Sequence, residues 1–290
     1  MDKVVDSNVK DLTFPQGVPW ANGIDRALIV AQLSHFDCGG IALSVCLSHK
    51  IGDGSSAYFF LRDWAALTRS SNTTPSPYFV EDSIVPSTIG PLVSPVIGSD
   101  MDKCVQKRFI FSSTKLSALK SSIGVQNVTS NEAVNALIYK CAASSATIEI
   151  SSPMYDNEEE LELPKLVTDI RKSKNNLFAR NIVEENEYAI ELVDAYRTGE
   201  QPFSKRKCDL YFSSSVCKFP FLQDLDFGFG KPIRSSTAKG PLNKFIILMR
   251  TYDGGIEAFV NLNEQEMCVF EHDKQLLEFA TPINGDEEEQ

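Results

Sequence analysis

The sequence has few histidines and no cysteine pattern of the kind that holds a metal ion or builds a disulfide framework. Its 290 residues include three histidines and seven cysteines, and no Cys-x-x-Cys pair occurs. An odd number of cysteines without paired spacing is typical of reduced thiols in a cytosolic protein. We therefore predict no metal site and a cytoplasmic location.

Positive charge is also scarce. Lys and Arg number 28 against 39 Asp and Glu, which gives a net charge of −11 and a pI near 4.9. Nucleic acids and anionic membranes attract proteins through clustered basic side chains, so neither is an expected partner. Apolar runs long enough for a membrane span and a secretory signal are missing too. With 42% hydrophobic residues, the composition favours a globular protein of about two domains that acts on a small molecule.

One of the three histidines stands at the end of a predicted strand. Residues 26–35 and 41–48 alternate as strands around the turn "DCGG", and His49 continues the odd-numbered face of the second. If that face is buried, the imidazole points inward. Gly52 and Gly54 are expected to break the strand, and Ser55 or Ser56 can cap a following helix, whose predicted apolar stripe contains Ala57, Phe60, Leu61, Trp64 and Leu67. A lone histidine at such a junction is more often structural than catalytic, so its neighbours must decide.

A second folded region is predicted after a segment rich in Ser, Thr and Pro at 70–102, which we interpret as an interdomain connection. It opens with a strand at 107–112. Thr129 and Glu132 then have the spacing of a capping box at the start of a helix. Near the carboxyl end, residues 245–262 predict a hairpin around the turn "YDGG".

The stretch "DLDFGFGKP" at 224–232 forms a second candidate motif. Two glycines around an aromatic residue allow a tight backbone path, Pro232 fixes the exit, and Asp226 can accept backbone N–H bonds within the turn. A kinase reading of Asp-Phe-Gly requires a His-Arg-Asp loop and a glycine-rich nucleotide loop upstream, and the sequence has neither. Taken alone, the motif predicts a structural turn.

The two motifs occur together in a specific order: His-x-x-x-Asp-Gly at 49–54, then Asp-Phe-Gly-x-Gly-Lys-Pro at 226–232. This pairing resembles the plant BAHD family of acyl-CoA-dependent acyltransferases. The likeness extends to "SNEAVNALIYKC" and "GGIEAFVNLNEQEMCVFEHDKQLLEFA", which are similar to the alkaloid-acylating branch. It covers most of residues 20–282.

The resemblance implies an α/β protein with a two-domain, chloramphenicol acetyltransferase-like fold of mixed sheets, incomplete in the first domain. Residues 1–96 are expected to be the remnant of that domain, and the glycine loop segment 219–246 is expected to pack into it. Residues 103–218 and 247–285 are expected to form the second domain. The remaining residues, 286–290, are predicted to be an acidic tail.

The function implied is transfer of an acyl group, expected to be acetyl, from coenzyme A to a hydroxyl of an alkaloid or similar plant specialised metabolite. Acyl-CoA is then a co-substrate, and no permanently bound cofactor is expected. His49 inherits the role of general base, since an imidazole ordinarily exchanges protons near neutral pH. Asp53 is expected to turn away and hold the loop, and Gly54 to leave room for the acyl donor.

The second motif is expected to act at the coenzyme A end of the channel. Asp226 joins His49 and Asp53 as a residue on which catalysis depends, here through loop geometry. Gly228 and Gly230 shape the same loop. Lys231, or Lys218, can meet a phosphate of the nucleotide, although a solvated surface lysine is the commoner case.

A cysteine nucleophile is a weaker alternative. Cys46 lies three residues before His49, but strand alternation places it on the opposite face. His35 and His272 have no evident partners in the sequence and are interpreted as ordinary surface or core residues.

Departures from the family pattern leave a second functional reading open. The histidine motif begins at residue 49, much earlier than in typical members, and a segment after Ala143 is shortened. Val216 and Phe229 replace tryptophans that are usual in the family. The alternative is therefore an inactive, truncated homologue that binds ligand or a full-length relative without turnover. Uncovered apolar surface would also favour self-association.

Overall fold

The computed structural model describes residues 27–49, 51–69, 72, 74–77, 104–146, 161–179, 211–238 and 243–283. Most of the predicted connection at 70–102, the amino-terminal residues 1–26 and the predicted acidic tail lie outside the described residues. The described strands are β1 Ile29–His35, β2 Ile41–Leu47, β3 Cys104–Phe111, β4 Phe212–Ser215, β5 Phe245–Arg250, β6 Ile256–Asn263 and β7 Thr281–Ile283. The described helices are α1 Gly54–Thr68, α2 Ser113–Ile123, α3 Ser130–Ala146, α4 Leu163–Ala179, α5 Phe221–Asp224, α6 Glu264–Phe270 and α7 Lys274–Phe279.

The predicted hairpin before the histidine motif is confirmed. β1 and β2 pair antiparallel, with Ile29 opposite Leu47 and His35 opposite Ile41. The turn closes through a bond of 2.9 Å from the Phe36 amide to the Gly40 carbonyl. Gly39 has φ of +84°, a conformation that favours glycine, which explains the "DCGG" sequence. In the described residues this hairpin forms a sheet of only two strands.

The helix after the motif also forms, but its buried face differs from the predicted stripe. α1 buries Tyr58 and Ala65, whereas Phe60 and Leu67 of the predicted stripe are 40% and 50% exposed. Part of the predicted stripe is therefore uncovered, in agreement with the expectation of uncovered apolar surface in an incomplete first domain. The buried face is set by contacts with residues far along the chain, which the local pattern does not contain.

The larger sheet has five strands in the order β4-β5-β6-β3-β7. β4 and β5 are parallel, and the other neighbours are antiparallel. The sheet is therefore mixed, as the predicted fold class requires. The hairpin of β5 and β6 is confirmed, with Ile246 opposite Val260.

The start of α3 confirms the predicted capping box. The Glu132 amide donates to Thr129 Oγ1 at 3.2 Å, and the Thr129 amide donates to Glu132 Oε2 at 3.0 Å. Two amides that the helix leaves without partners are thereby satisfied. The apolar face of α3 then packs into the main core, where Leu137 and Ile138 have no exposed surface.

The core lies between the five-stranded sheet and its helices. Its largest fully buried side chains include Phe109, Phe111, Leu119, Leu137, Leu248, Leu262 and Phe270. Burying one such side chain contributes about 1.5–3 kcal/mol, so this unit holds most of the hydrophobic stabilisation.

The predicted domain division stays a prediction, with one adjustment at its boundary. β5 begins at Phe245, so the boundary at 246 falls inside a strand of the five-stranded sheet. Within the described residues, no helix combines the length and apolarity needed to cross a membrane.

Candidate active site

His49 lies in the turn that follows β2. The Ser48 amide donates to the Leu28 carbonyl at 2.8 Å, which ends the strand pairing. The His49 side chain is exposed, and no described residue is its hydrogen-bond partner. The odd-numbered face is not buried either, because Ile41 is 38% exposed. The condition for an inward-pointing imidazole, a buried odd-numbered face, is therefore not met among the described residues, and His49 is accessible.

Asp53, rather than the predicted Ser55 or Ser56, caps α1. Its Oδ1 accepts the Ser56 amide at 2.8 Å and the hydroxyls of Ser55 and Ser56, each at 2.8 Å. These bonds, the amide bond first, lower the pKa of Asp53 to about 2. A carboxylate held in this way is a poor proton acceptor, and its bonds fix the loop to the helix.

Of the two glycines in the histidine motif, only Gly52 lies at a point of close approach. A β-carbon at Gly52 would lie 2.7 Å from the Ser56 β-carbon, so a larger residue would displace the cap. A β-carbon at Gly54 would lie 3.6 Å from Val216 Cγ1. Val216 follows β4, so this contact joins the histidine motif to the larger sheet.

The second motif forms the turn that the sequence predicts. Asp226 Oδ1 accepts the amides of Gly228 and Gly230 at 2.8 and 3.1 Å. The two glycines have φ of +98° and +96°, which other residues rarely adopt. Phe229 between them is 67% exposed. These bonds confirm the predicted geometry of Asp226, and its catalytic role stays a proposal.

The segment 216–227, which we name the arm, leads from β4 to the glycine turn and packs on α1. The Tyr58 hydroxyl donates to the Asp224 carboxylate, and the Tyr58 ring stacks on Phe219 with centroids 5.0 Å apart. Burial, and then the bond to Asp224, raise the pKa of Tyr58 to about 12. Tyr58 therefore remains a proton donor over the whole physiological range.

Two further contacts join the arm to the second half of α1. The Trp64 and Phe227 rings pack in a T-shaped arrangement with centroids 5.3 Å apart. The Arg69 guanidinium donates to the Asp226 carbonyl. The structure thus attaches both sequence motifs to one helix. Sequence reasoning missed Tyr58 and Arg69, since neither belongs to a motif and their partners lie more than 150 residues away.

Two cavities lie near these elements. One, of about 460 Å³, lies between α1 and the arm, and Arg62, Arg69, Asp224, Asp226 and Lys231 are among its lining residues. The other, of about 580 Å³, lies between α3, α4, β4 and β5, and its polar lining includes Asn131, Asn135, Tyr139, Tyr211, Ser213 and Ser215. No Lys or Arg is among the described residues that line the second cavity.

The cysteine alternative is weakened by the environment of Cys46. Burial raises the pKa of its thiol, which disfavours the thiolate that a nucleophile needs. Among the described residues, no cluster of three His, Cys, Asp or Glu side chains could hold a metal ion.

Comparison with known proteins gives consistent matches. The family model of the transferase family matches residues 1–155 and 148–277. Acyltransferase Pun1 of Capsicum frutescens is 37% identical, over 96% of this chain and 73% of its own length. Akuammiline synthase 1 of Alstonia scholaris is 35% identical, over 96% of this chain and 74% of its own length. Deacetylvindoline O-acetyltransferase of Catharanthus roseus is 30% identical, over 95% of this chain and 73% of its own length.

Solved structures show the same fold. The crystal structure of vinorine synthase matches with a TM-score of 0.74 at 24% identity, over 96% of this chain and 73% of its own. F. graminearum TRI101, complexed with coenzyme A and T-2 mycotoxin, matches with a TM-score of 0.66 at 16% identity, over 89% and 70%. The family match and the relatives together establish that this chain belongs to the BAHD acyltransferases, a family of enzymes that transfer acyl groups, and has their two-domain α/β fold.

Proposed function

We propose that the protein transfers an acetyl group from acetyl-CoA to a hydroxyl of an alkaloid or similar plant specialised metabolite, with His49 as general base. The observation that carries this proposal is the pairing of an accessible His49 with an Asp53 that is held in the helix cap. The names of the relatives support the substrate class, since one is an akuammiline synthase and another a deacetylvindoline O-acetyltransferase.

The proposed chemistry is direct transfer. The acceptor hydroxyl gives its proton to the His49 imidazole while its oxygen bonds to the thioester carbon. The tetrahedral intermediate then breaks its C–S bond, and the imidazolium returns the proton to the departing coenzyme A thiolate. An ester and free coenzyme A result. No covalent enzyme intermediate is needed, which agrees with the raised pKa of the half-buried Cys46 thiol.

The cavity of about 580 Å³ supports a place for the uncharged parts of the reactants. Ser215 lines this cavity, and the next residue, Val216, approaches Gly54 of the histidine motif. One residue of the cavity lining is therefore the chain neighbour of a residue that faces the histidine motif. Its lining mixes amides, hydroxyls, tyrosine rings and aliphatic groups with one carboxylate, that of Asp169, which pairs with Lys165 at 2.6 Å. A mixed lining of this kind suits a molecule of moderate size with few polar groups.

The cofactor-binding residues proposed from the second motif are Gly228, Gly230 and Lys231, with Gly54 at the acyl end. Lys231 lines the cavity of about 460 Å³ together with Arg62 and Arg69. Within the described residues, Lys231 makes no ion pair, whereas Arg62 pairs with Asp63. We propose that Lys231 meets a phosphate of coenzyme A.

The experiment that tests the proposal compares His49→Ala with Cys46→Ser. His49→Ala should lower acetyl transfer to an alkaloid alcohol by about 10²–10⁴, the usual effect of losing a general base, with an unchanged melting temperature. Cys46→Ser should keep most of the activity. Unchanged turnover in His49→Ala removes His49 from the mechanism, and an acetylated Cys46 in mass spectrometry overturns direct transfer. A wild-type chain that binds acetyl-CoA without turnover favours the alternative, an inactive homologue.

A further inference from the structure

We propose that the arm positions the His49 loop by holding α1, and that Tyr58 is the positioning residue at the centre of this contact. The effect on turnover rests on the proposed function. The effect on the order of the loop does not, and it can be measured on the protein without substrate.

α1 is buried where Tyr58 meets the arm. Tyr58 is only 5% exposed, while its neighbours Phe59 and Phe60 are 47% and 40% exposed. The side that is covered is the side that meets Phe219 and Asp224 of the arm. Burial of α1 at this point therefore comes from the arm.

The contact between Tyr58 and Asp224 is directional. A hydrogen bond from a phenol to a carboxylate is short and charge-assisted. It therefore restricts both rotation and sliding of the helix. Trp64 against Phe227 and Arg69 on the Asp226 carbonyl add contacts two and three turns further along. A helix held at several points along one side has little freedom to shift.

The arm is itself anchored to the larger unit. The Val216 amide donates to the Leu248 carbonyl at 2.9 Å, and Leu248 has no exposed surface. The Tyr252 hydroxyl, in the turn between β5 and β6, donates to the Leu222 carbonyl at 3.0 Å. The arm therefore transfers the rigidity of the five-stranded sheet to α1.

Asp53 connects α1 to the loop that carries His49. Asp53 is the N-cap of α1, and its side chain binds the first turn, so a shift of the helix moves the loop. No described residue hydrogen-bonds to the His49 side chain. Its position therefore depends on the loop, which is held by β2 on one side and by α1 on the other. A misplacement of about 1 Å in a reacting group can lower a rate by about 10²-fold.

The test is hydrogen exchange and kinetics on Tyr58→Phe, with Ser122→Ala as the control. Ser122→Ala also removes a donating side-chain hydroxyl, here one whose acceptor is the Leu119 carbonyl, but Ser122 lies on α2 in the larger unit. Tyr58→Phe should speed exchange in peptides spanning 48–57 and lower kcat about 10-fold, with KM for acetyl-CoA within about twofold. Ser122→Ala should change neither. Asp224→Asn, which keeps an acceptor oxygen, should behave closer to wild type than Asp224→Leu.

Exchange that rises in 219–227 but stays unchanged in 48–57 would overturn the proposal, whatever the activity. Equal effects of Asp224→Asn and Asp224→Leu would show that the hydrogen bond is not the link. If the wild-type chain has no turnover, the proposed function fails, and the exchange data still decide whether the arm orders the loop.

Discussion

The larger unit and the region around the histidine motif differ sharply in how they bury apolar side chains. In the five-stranded sheet, Phe109, Phe111 and Phe259 have no exposed surface. In the hairpin and α1, Leu33 and Phe59 are each 47% exposed. The residues proposed for chemistry, His49 and Asp53, belong to the second region and are both exposed. The buried apolar side chains and the residues proposed for chemistry are therefore concentrated in different parts of the molecule.

The difference follows from the number of elements that meet. Five strands and several helices enclose a core from many directions, whereas a two-stranded hairpin has too few partners to be stable alone. The region around the histidine motif depends on contacts made by the arm, such as Tyr58 with Asp224. Its order should respond to local polar changes, while the larger unit should respond to changes of volume.

The largest expected effect is loss of a core aromatic. Phe109→Ala removes a ring with no exposed surface and should lower the free energy of unfolding by about 3–5 kcal/mol. Phe60→Ala is the matched control, since Phe60 is 40% exposed, and it should cost well under half as much. Denaturant unfolding monitored by fluorescence and circular dichroism measures both. Similar losses in the two variants would contradict the contrast between the regions.

The next effect concerns the glycine turn. Asp226→Ala removes the acceptor of two backbone amides and should cost about 1–2 kcal/mol, because the carboxylate is only half-buried. Affinity for coenzyme A should fall with stability, before any change in kcat. Calorimetric binding beside thermal melts gives both quantities. A variant with wild-type melting and binding but no turnover would assign Asp226 a direct catalytic role.

Elements with strong local signals could be predicted from the sequence. The capping box of Thr129 and Glu132, the "DCGG" turn and the acceptor role of Asp226 each depend on residues within five positions of one another. All three appear in the structure. The family resemblance added the fold, since the order of the two motifs is specific.

What could not be predicted depends on contacts between distant residues. The alternation of β2 predicts an apolar odd face but not what covers it, and Ile41 is exposed in a hairpin that has no third strand in the described residues. The periodicity of α1 favours Phe60 and Leu67, yet the arm buries Tyr58 instead. Burial is a property of the partner surface, and no local pattern states where the partner lies.

A smaller effect is expected at the cap of α1, with a defined pH dependence. Asp53→Ala should lower stability by about 0.5–2 kcal/mol, the usual cost of an N-cap, and Asp53→Asn should keep most of it. The pKa of Asp53 is lowered to about 2, so the ionised carboxylate stabilises the folded protein fully at pH values above the ordinary aspartate pKa. This stabilisation is lost as the pH falls through about 2. Melts of wild type and Asp53→Asn between pH 7 and 2 should converge only below about pH 4. A constant difference would contradict the cap.

The smallest expected effect separates the two lysines that the sequence raises as phosphate ligands. Lys231 lines the cavity between α1 and the arm, whereas Lys218, which is also exposed, is not among that cavity's lining residues. An exposed ion pair contributes at most about 1 kcal/mol, so Lys231→Ala should raise KM for acetyl-CoA only about threefold, with kcat unchanged. Lys218→Ala should leave both constants as they are. Added salt should narrow the gap between wild type and Lys231→Ala, because the contact is solvated. Equal responses of the two variants would mean that the phosphates of coenzyme A bind elsewhere.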